Sequence, residues 1–161
     1  MNRVFLLLGG NLGDRFSYLK QAITLIDSQI GPVIRQSAVY ETASWGNEQQ
    51  PDYLNQVLEV DTKLSPEELL VQLLETEKVM GRIRHEKWGA RIIDIDILFY
   101  NNQIIDGSNL IIPHPYLHQR RFTLVPLVEL APEFVHPVLK QSLKELLNVL
   151  TDNLEVRKVI G

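Results

Sequence analysis

No cysteine occurs among the 161 residues. That excludes a disulfide framework and any thiolate metal site. An excess of positive charge is missing too. The net charge is −4, whereas a general nucleic-acid binder is normally basic overall. Long apolar runs are absent. The first, Val4-Phe5-Leu6-Leu7-Leu8, is stopped by Gly9-Gly10-Asn11, far short of the roughly 20 residues that cross a bilayer. No signal-peptide cleavage pattern follows it, so the cytoplasm is the expected location. Repeats, low-complexity tracts and linker-like stretches are lacking, and residues 1–161 are expected to form a single domain. What is present in ordinary measure is apolar surface: 45% of the residues are hydrophobic, which suits a packed core rather than a disordered chain.

The most informative stretch runs from Gly81 to Tyr100. Its second half alternates with period two. Ile93, Ile95, Ile97 and Phe99 are expected on one face of a strand, and Asp94 and Asp96 on the other. Aspartate is a poor strand former, so two on one strand need a reason. Their backbones would lie about 6–7 Å apart, and the carboxylates repel unless something positive sits between them. A hard divalent cation such as Mg²⁺, with substrate phosphates completing its shell, fits that place. The first half of the stretch supplies Arg82, Arg84, Lys87 and Arg91 against one Glu86. Cations concentrated beside a diaspartate in an acidic chain suit a small polyanion with its metal. Taken singly, an Asp-x-Asp pair is more often a solvated strand face or a turn, and a basic loop is more often just a solvated loop. Their coincidence in one segment favours metal and polyphosphate.

The rest of the chain reads in order. Arg3 to Leu8 is a buried strand. Gly9-Gly10-Asn11-Leu12-Gly13-Asp14 matches neither a dinucleotide fingerprint nor a P-loop and reads as a tight strand-to-helix turn. Asp14 or Ser17 caps a helix running to about Gln29, ended by Gly31-Pro32. Val33 to Thr42 and Tyr53 to Thr62 read as two strands of an antiparallel hairpin with an enlarged, polar connection. Ser65-Pro66-Glu67-Glu68 opens a second helix through a capping box, with Leu69, Leu70, Leu73 and Leu74 as its apolar stripe. Glu77, late in that helix, either pairs with Arg82 or Arg84 or faces a ligand. After Tyr100, a short strand at 103–105 is expected to return beside the carboxylate strand. Prolines on both sides of His114 hold it rigidly, as a turn residue or a presented contact. A short helix includes Leu124, Leu127 and Leu130. A last helix opens at the capping box Ser142-x-x-Glu145, and 154–160 is a terminal strand.

This order predicts an α+β fold: a ferredoxin-like antiparallel sheet with helices packed on one face and an additional C-terminal αβ segment. The helices would cover the isoleucine face and leave the Asp94/Asp96 face for ligand.

The chain resembles one family over nearly its whole length, the 6-hydroxymethyl-7,8-dihydropterin pyrophosphokinases of folate biosynthesis. The resemblance rests on Gly9-Gly10-Asn11-Leu12-Gly13, on Gln50 through Asn55, on Gly81-Arg82 through Asp96, on Pro113-His114-Pro115 and on Arg120 through Pro126. It implies transfer of a pyrophosphoryl group from ATP to the pterin hydroxymethyl with release of AMP, with two Mg²⁺ ions held by Asp94 and Asp96. Arg82 and Arg91 would act catalytically on the phosphates. Glu77, Arg84, Trp88, Ile97, His114 and Arg120 would complete the ATP site. Tyr53 and Phe122 would stack on the pterin, Asn55 would read its amide edge, and Thr42, Trp45 and Asp94 would complete that site. The implied partners are ATP and the pterin, with no nucleic acid or membrane, and the chain is expected to act as a monomer.

Some positions depart from the family pattern. Gly10 stands where serine is common, Ala90 and Ala43-Ser44 replace proline-containing segments, His85 stands where lysine occurs, and Tyr116 where arginine is frequent. They bear on loop closure and affinity and leave both implied metal ligands in place. Two other readings are open at this stage. A nucleotide-sugar transferase also uses Asp-x-Asp, and a ferredoxin-like module can bind RNA through its open face. The latter predicts lysines and exposed aromatics on the strands, where this chain places acids.

Overall fold

The computed structural model describes residues 1–43, 51–81 and 92–160. Trp45, Arg82, Arg84, Trp88 and Arg91, with Ser44, His85 and Ala90, lie outside the described residues.

Strand β1 (Asn2–Gly10) is followed by helix α1 (Arg15–Gln29), whose Asp14 cap accepts from the Ser17 amide. At Gly13 the backbone takes φ 70°, the left-handed conformation glycine permits, and so redirects the chain into α1. The stretch expected as one strand is two, β2 (Val33–Gln36) and β3 (Val39–Thr42). The break comes at Ser37, whose hydroxyl accepts from the Val57 amide while its own N–H donates to the Val57 carbonyl. Both pieces pair with β4 (Tyr53–Thr62). Helix α2 (Pro66–Val79) starts at the expected capping box between Ser65 and Glu68, with Pro66 in the first turn. Leu69 and Leu73 are buried; Leu74 is exposed, and Thr76 and Glu77 take the buried positions toward the helix end.

Strand β5 (Asp94–Tyr100) follows. The short β6 (Ile105–Asp106) pairs with β7 (Ile111–Ile112) in a ribbon of its own, not with β5 as expected. The Ile112–Pro113 peptide bond is cis. A 3₁₀ turn (Leu117–Gln119) leads into α3 (Arg121–Leu130), then α4 (Leu143–Asn148) with its Ser142/Glu145 capping box, and finally β8 (Val156–Ile160).

Six of the described strands form an antiparallel sheet in the order β5-β1-β4-β3-β8, with β2 beside β3 on the same edge of β4. One face carries Val4, Leu6, Leu8, Leu58, Val60, Ile95 and Ile97 against Leu19, Ala22 and Ile26 of α1 and Leu69 and Leu73 of α2. The other carries Phe5, Leu7, Val57, Leu98 and Phe99 against Leu124, Leu127 and Leu130 of α3 and Leu143 and Leu146 of α4. The fold is therefore α+β, as expected, but helices pack on both faces rather than one. α3 and α4 are the reason: their apolar stripes need a partner, and the far side of the sheet provides it.

Phe99 is also on the other face from the one expected. The β1–β5 register pairs Leu6 with Ile97 but Phe5 with Phe99, leaving Leu98 as an extra residue. Such a bulge reverses which face the following side chains take. No described helix is long and apolar enough to cross a membrane.

Candidate active site

The face covered by α3 and α4 changes from apolar to polar along the strands. Phe99 and Phe5 face each other at one end; next come Asp96, Leu7 and Val57; then Asp94, Gly9, Asn55 and Tyr40 in one row. One step further, Thr42 and Tyr53 form the last β3–β4 pair. By strand alternation the side chains of Asp94, Asp96, Asn55, Tyr53 and Thr42 therefore share one face, at the end where the apolar packing of α3 stops. Asp94 and Asp96 are half-buried. Between Asp94 and Asn55 lies Gly9, and a Cβ there would stand 2.6 Å from Asn55 Nδ2. The missing side chain makes room for Asn55, which is buried and donates weakly to the Leu8 carbonyl at 3.5 Å. Thr42 is buried, and its hydroxyl oxygen has no hydrogen-bond partner among the described residues.

Two devices set the walls. Glu77 of α2, only 2% exposed, accepts from the Ile95 amide at 2.7 Å. Its carboxylate thus holds the outer edge of β5 between the two aspartates. On the opposite side, Glu129 of α3 accepts from the Tyr40 hydroxyl at 2.6 Å and the Ala38 amide at 3.0 Å. Burial, reinforced by that bond, pushes the Tyr40 phenol up to about 12, so it stays a donor at neutral pH. The other end of α3 is held by Asp152, which accepts from the Arg121 amide at 3.0 Å.

The residues just before α3 run beside β5. The His114 amide donates to the Leu98 carbonyl at 3.1 Å, fixing this segment along β5. Burial and the charge of Arg120 push the His114 imidazole down to about 4, while Asp94 pulls it up. His114 is therefore neutral at pH 7, within electrostatic reach of both Arg120 and Asp94. Its Nδ1 accepts from the Tyr116 amide at 3.2 Å, which assigns the proton to Nε2 and leaves that atom as a donor. The Arg120 guanidinium lies 5.3 Å from the Tyr116 ring centroid and 5.6 Å from that of Phe122, a cation–π arrangement that holds both rings.

Asp94, Asp96, Asn55, Tyr53 and Thr42 thus share a sheet face, with His114, Arg120 and Phe122 grouped at the start of α3. Ile97 does not share that face: its side chain is in the α1/α2 core, so only its main chain can line a site. Glu77 stands behind β5. Sequence reasoning passed over Gly9 as a space-maker and Tyr40 with Glu129 as an anchor. The first has a signal, a glycine where a strand should carry a side chain. The second, spanning 89 residues, has none.

The donor set suits a hard divalent ion. Two carboxylates two residues apart on one strand offer the oxygen ligands that a hard ion such as Mg²⁺ takes.

A family model described as 7,8-dihydro-6-hydroxymethylpterin-pyrophosphokinase (HPPK) matches residues 5–132. The 2-amino-4-hydroxy-6-hydroxymethyldihydropteridine pyrophosphokinase of Aquifex aeolicus is 43% identical over 145 residues, 90% of each chain. The Bacillus subtilis protein of the same name is 40% identical over 133 residues, 82% of this chain and 80% of that one. Among solved structures, a Plasmodium falciparum HPPK-DHPS with SDX-DHP superposes with a TM-score of 0.75 at 22% identity. That match covers 92% of this chain and 43% of the longer one.

Proposed function

Since the chain belongs to the 7,8-dihydro-6-hydroxymethylpterin-pyrophosphokinase family, we propose that it transfers the pyrophosphoryl group of ATP to the hydroxymethyl oxygen of 6-hydroxymethyl-7,8-dihydropterin and releases AMP. It is an ATP-dependent pyrophosphokinase of folate biosynthesis. The observation that carries the finer reading is the row Asp94, Gly9, Asn55, which sets a charged half and an amide-reading half side by side on one sheet.

In the charged half, Asp94 and Asp96 would hold two Mg²⁺ ions with the triphosphate. Bound there, magnesium would neutralise phosphate charge and lower the pKa of the attacking alcohol. Arg120 and the Nε2–H of His114 bind and orient the nucleotide. Arg82, Arg84, Trp88 and Arg91, outside the described residues, complete its grip on the resemblance given above. In the other half Asn55 offers a donor and an acceptor to the pterin amide edge, and Tyr53 and Phe122 stack on its flat ring. Thr42 and Trp45 close that edge. The hydroxymethyl oxygen bonds to the β-phosphorus, and the bond from that phosphorus to the oxygen bridging it to the α-phosphorus breaks. AMP leaves with the electron pair, and the alcohol proton passes to solvent. Positioning and charge neutralisation suffice for such a transfer.

The strand order supports a ferredoxin-like core from β1 to β5, with α3, α4 and β8 as a C-terminal addition, and the pairing of β8 with β3 supports one domain over 1–161. On this reading the enzyme acts as a cytoplasmic monomer, with no nucleic-acid or membrane partner. The test is an assay of the purified protein with ATP, Mg²⁺ and the hydroxymethylpterin. AMP equal to the pterin consumed is expected. ADP would make the protein an ordinary kinase.

A further inference from the structure

Four charged side chains, distant in sequence, meet at the two ends of the connection from β3 to β4. Glu41 accepts from Arg15 Nη1 at 2.8 Å and from Arg157 Nη2 at 2.8 Å. Arg15 Nη1 also donates to the Asp52 carbonyl at 2.8 Å, and Arg157 reaches the Asp52 carboxylate at 3.3 Å. Beside them Asn11, from the glycine-rich turn, donates through Nδ2 to the Pro51 carbonyl at 3.1 Å. Glu41 and Asp52 immediately adjoin Thr42 and Tyr53, the last pair of the β3–β4 ladder. Glu41 lies directly across from Arg157 in the β3–β8 pairing. By strand alternation Glu41 and Arg157 occupy the sheet face opposite Thr42, so the cluster does not touch what Thr42 and Tyr53 hold.

An isolated surface ion pair contributes little. This cluster differs because each arginine bridges both ends of the connection, and because the Glu41 and Arg15 side chains are only 19% and 25% exposed. Arginine's planar fork suits such a bridge. Beyond Thr42 and Tyr53 the ladder fixes no further pair among the described residues, and a cross-tie there lowers the ordering cost of binding.

We infer that the Arg15–Glu41–Asp52–Arg157 network, closed by Arg157 from the final strand, is a positioning device that holds Thr42 and Tyr53 at the spacing the pterin requires. The inference rests on the pterin assignment proposed above. It gives the last strand a functional part, and gives Asn11 of the glycine-rich turn a part in holding Pro51.

The test compares wild type with Arg157→Ala and Arg157→Gln in the pyrophosphoryl-transfer assay, varying pterin and ATP separately. The KM for the pterin should rise about fivefold in both variants, while kcat and the KM for ATP stay within about twofold. Arg157→Lys should recover part of the loss. In wild type the pterin KM should climb as NaCl goes from about 0.05 to about 0.5 M, and in Arg157→Ala that climb should shrink. An unchanged pterin KM, an equal fall in kcat, or the same salt response in wild type and variant would overturn the inference. If Arg157→Ala fails to fold, Arg157→Gln, which keeps the carbon stem as far as Cδ and a polar end, decides alone. A wild type that releases no AMP and binds no pterin overturns the underlying assignment, and that result appears before any variant is made.

Discussion

Gly9 contributes by lacking a side chain. It sits between Asp94 and Asn55 in the sheet register, and Asn55 Nδ2 occupies the space where a Cβ would go. In Gly9→Ala the amide of Asn55 must turn aside, which a flexible side chain can do at small cost to the fold. The pterin KM should therefore rise about tenfold, with the KM for ATP and the thermal midpoint nearly unchanged. Separate titrations of the two substrates check this. An ATP-selective loss would instead mark Gly9 as part of a nucleotide loop. At this scale the sequence shows much. The alternation that puts Asp94 and Asp96 opposite Ile93, Ile95 and Ile97 is present in the structure, because period two is a property of the backbone. The fate of Glu77 is not legible, since nothing local says that its carboxylate will find the Ile95 amide.

That contact belongs to the scale of elements. The carboxylate of α2 satisfies an edge N–H of β5 between the two aspartates. Removing it in Glu77→Ala leaves a buried donor without this acceptor and should cost about 2 kcal/mol, or a fall of about 4–8 °C in Tm. Glu77→Gln keeps an acceptor oxygen and should lose much less. Calorimetry of both variants checks the pair, and equal losses would point to the charge rather than the hydrogen bond. Element starts were legible where a capping box announces them, at Ser65 and Ser142, because that chemistry is local. The bulge at Leu98 was not. It depends on the partner strand, and it moves Phe99 to the α3 side. The split of β2 from β3 likewise depends on Ser37 meeting Val57, a residue of another strand.

Across the whole molecule, the second helix layer escaped the sequence for a related reason. The stripes of α3 and α4 are readable, but which face of the sheet they choose is a matter of topology. That layer brings a pH response. His136, on the segment between α3 and α4, is 4% exposed, and its Nδ1 accepts from the amides of Val138 and Leu139 at 3.1 Å. Burial, aided by nearby His118, pushes its imidazole from 6.5 down to about 4. The folded state therefore binds fewer protons than the unfolded state in that window. Its stability is complete above about 6.5, declines as pH falls toward about 4, and is flat for this group below that. The urea midpoint should fall over that range. In His136→Asn, which keeps an acceptor oxygen but does not titrate, the decline should be shallower. An unchanged slope would remove His136 as its source.

The central claim is that two carboxylates on β5 hold the metal-bound triphosphate for pyrophosphoryl transfer. It is tested most directly by AMP release, with ATP, Mg²⁺ and hydroxymethylpterin, from wild type and Asp96→Ala matched for circular dichroism and thermal midpoint. The account predicts AMP and pterin diphosphate in equal amounts from wild type, and a fall of at least about 100-fold in turnover for the variant. A folded Asp96→Ala protein that turns over at the wild-type rate would contradict it.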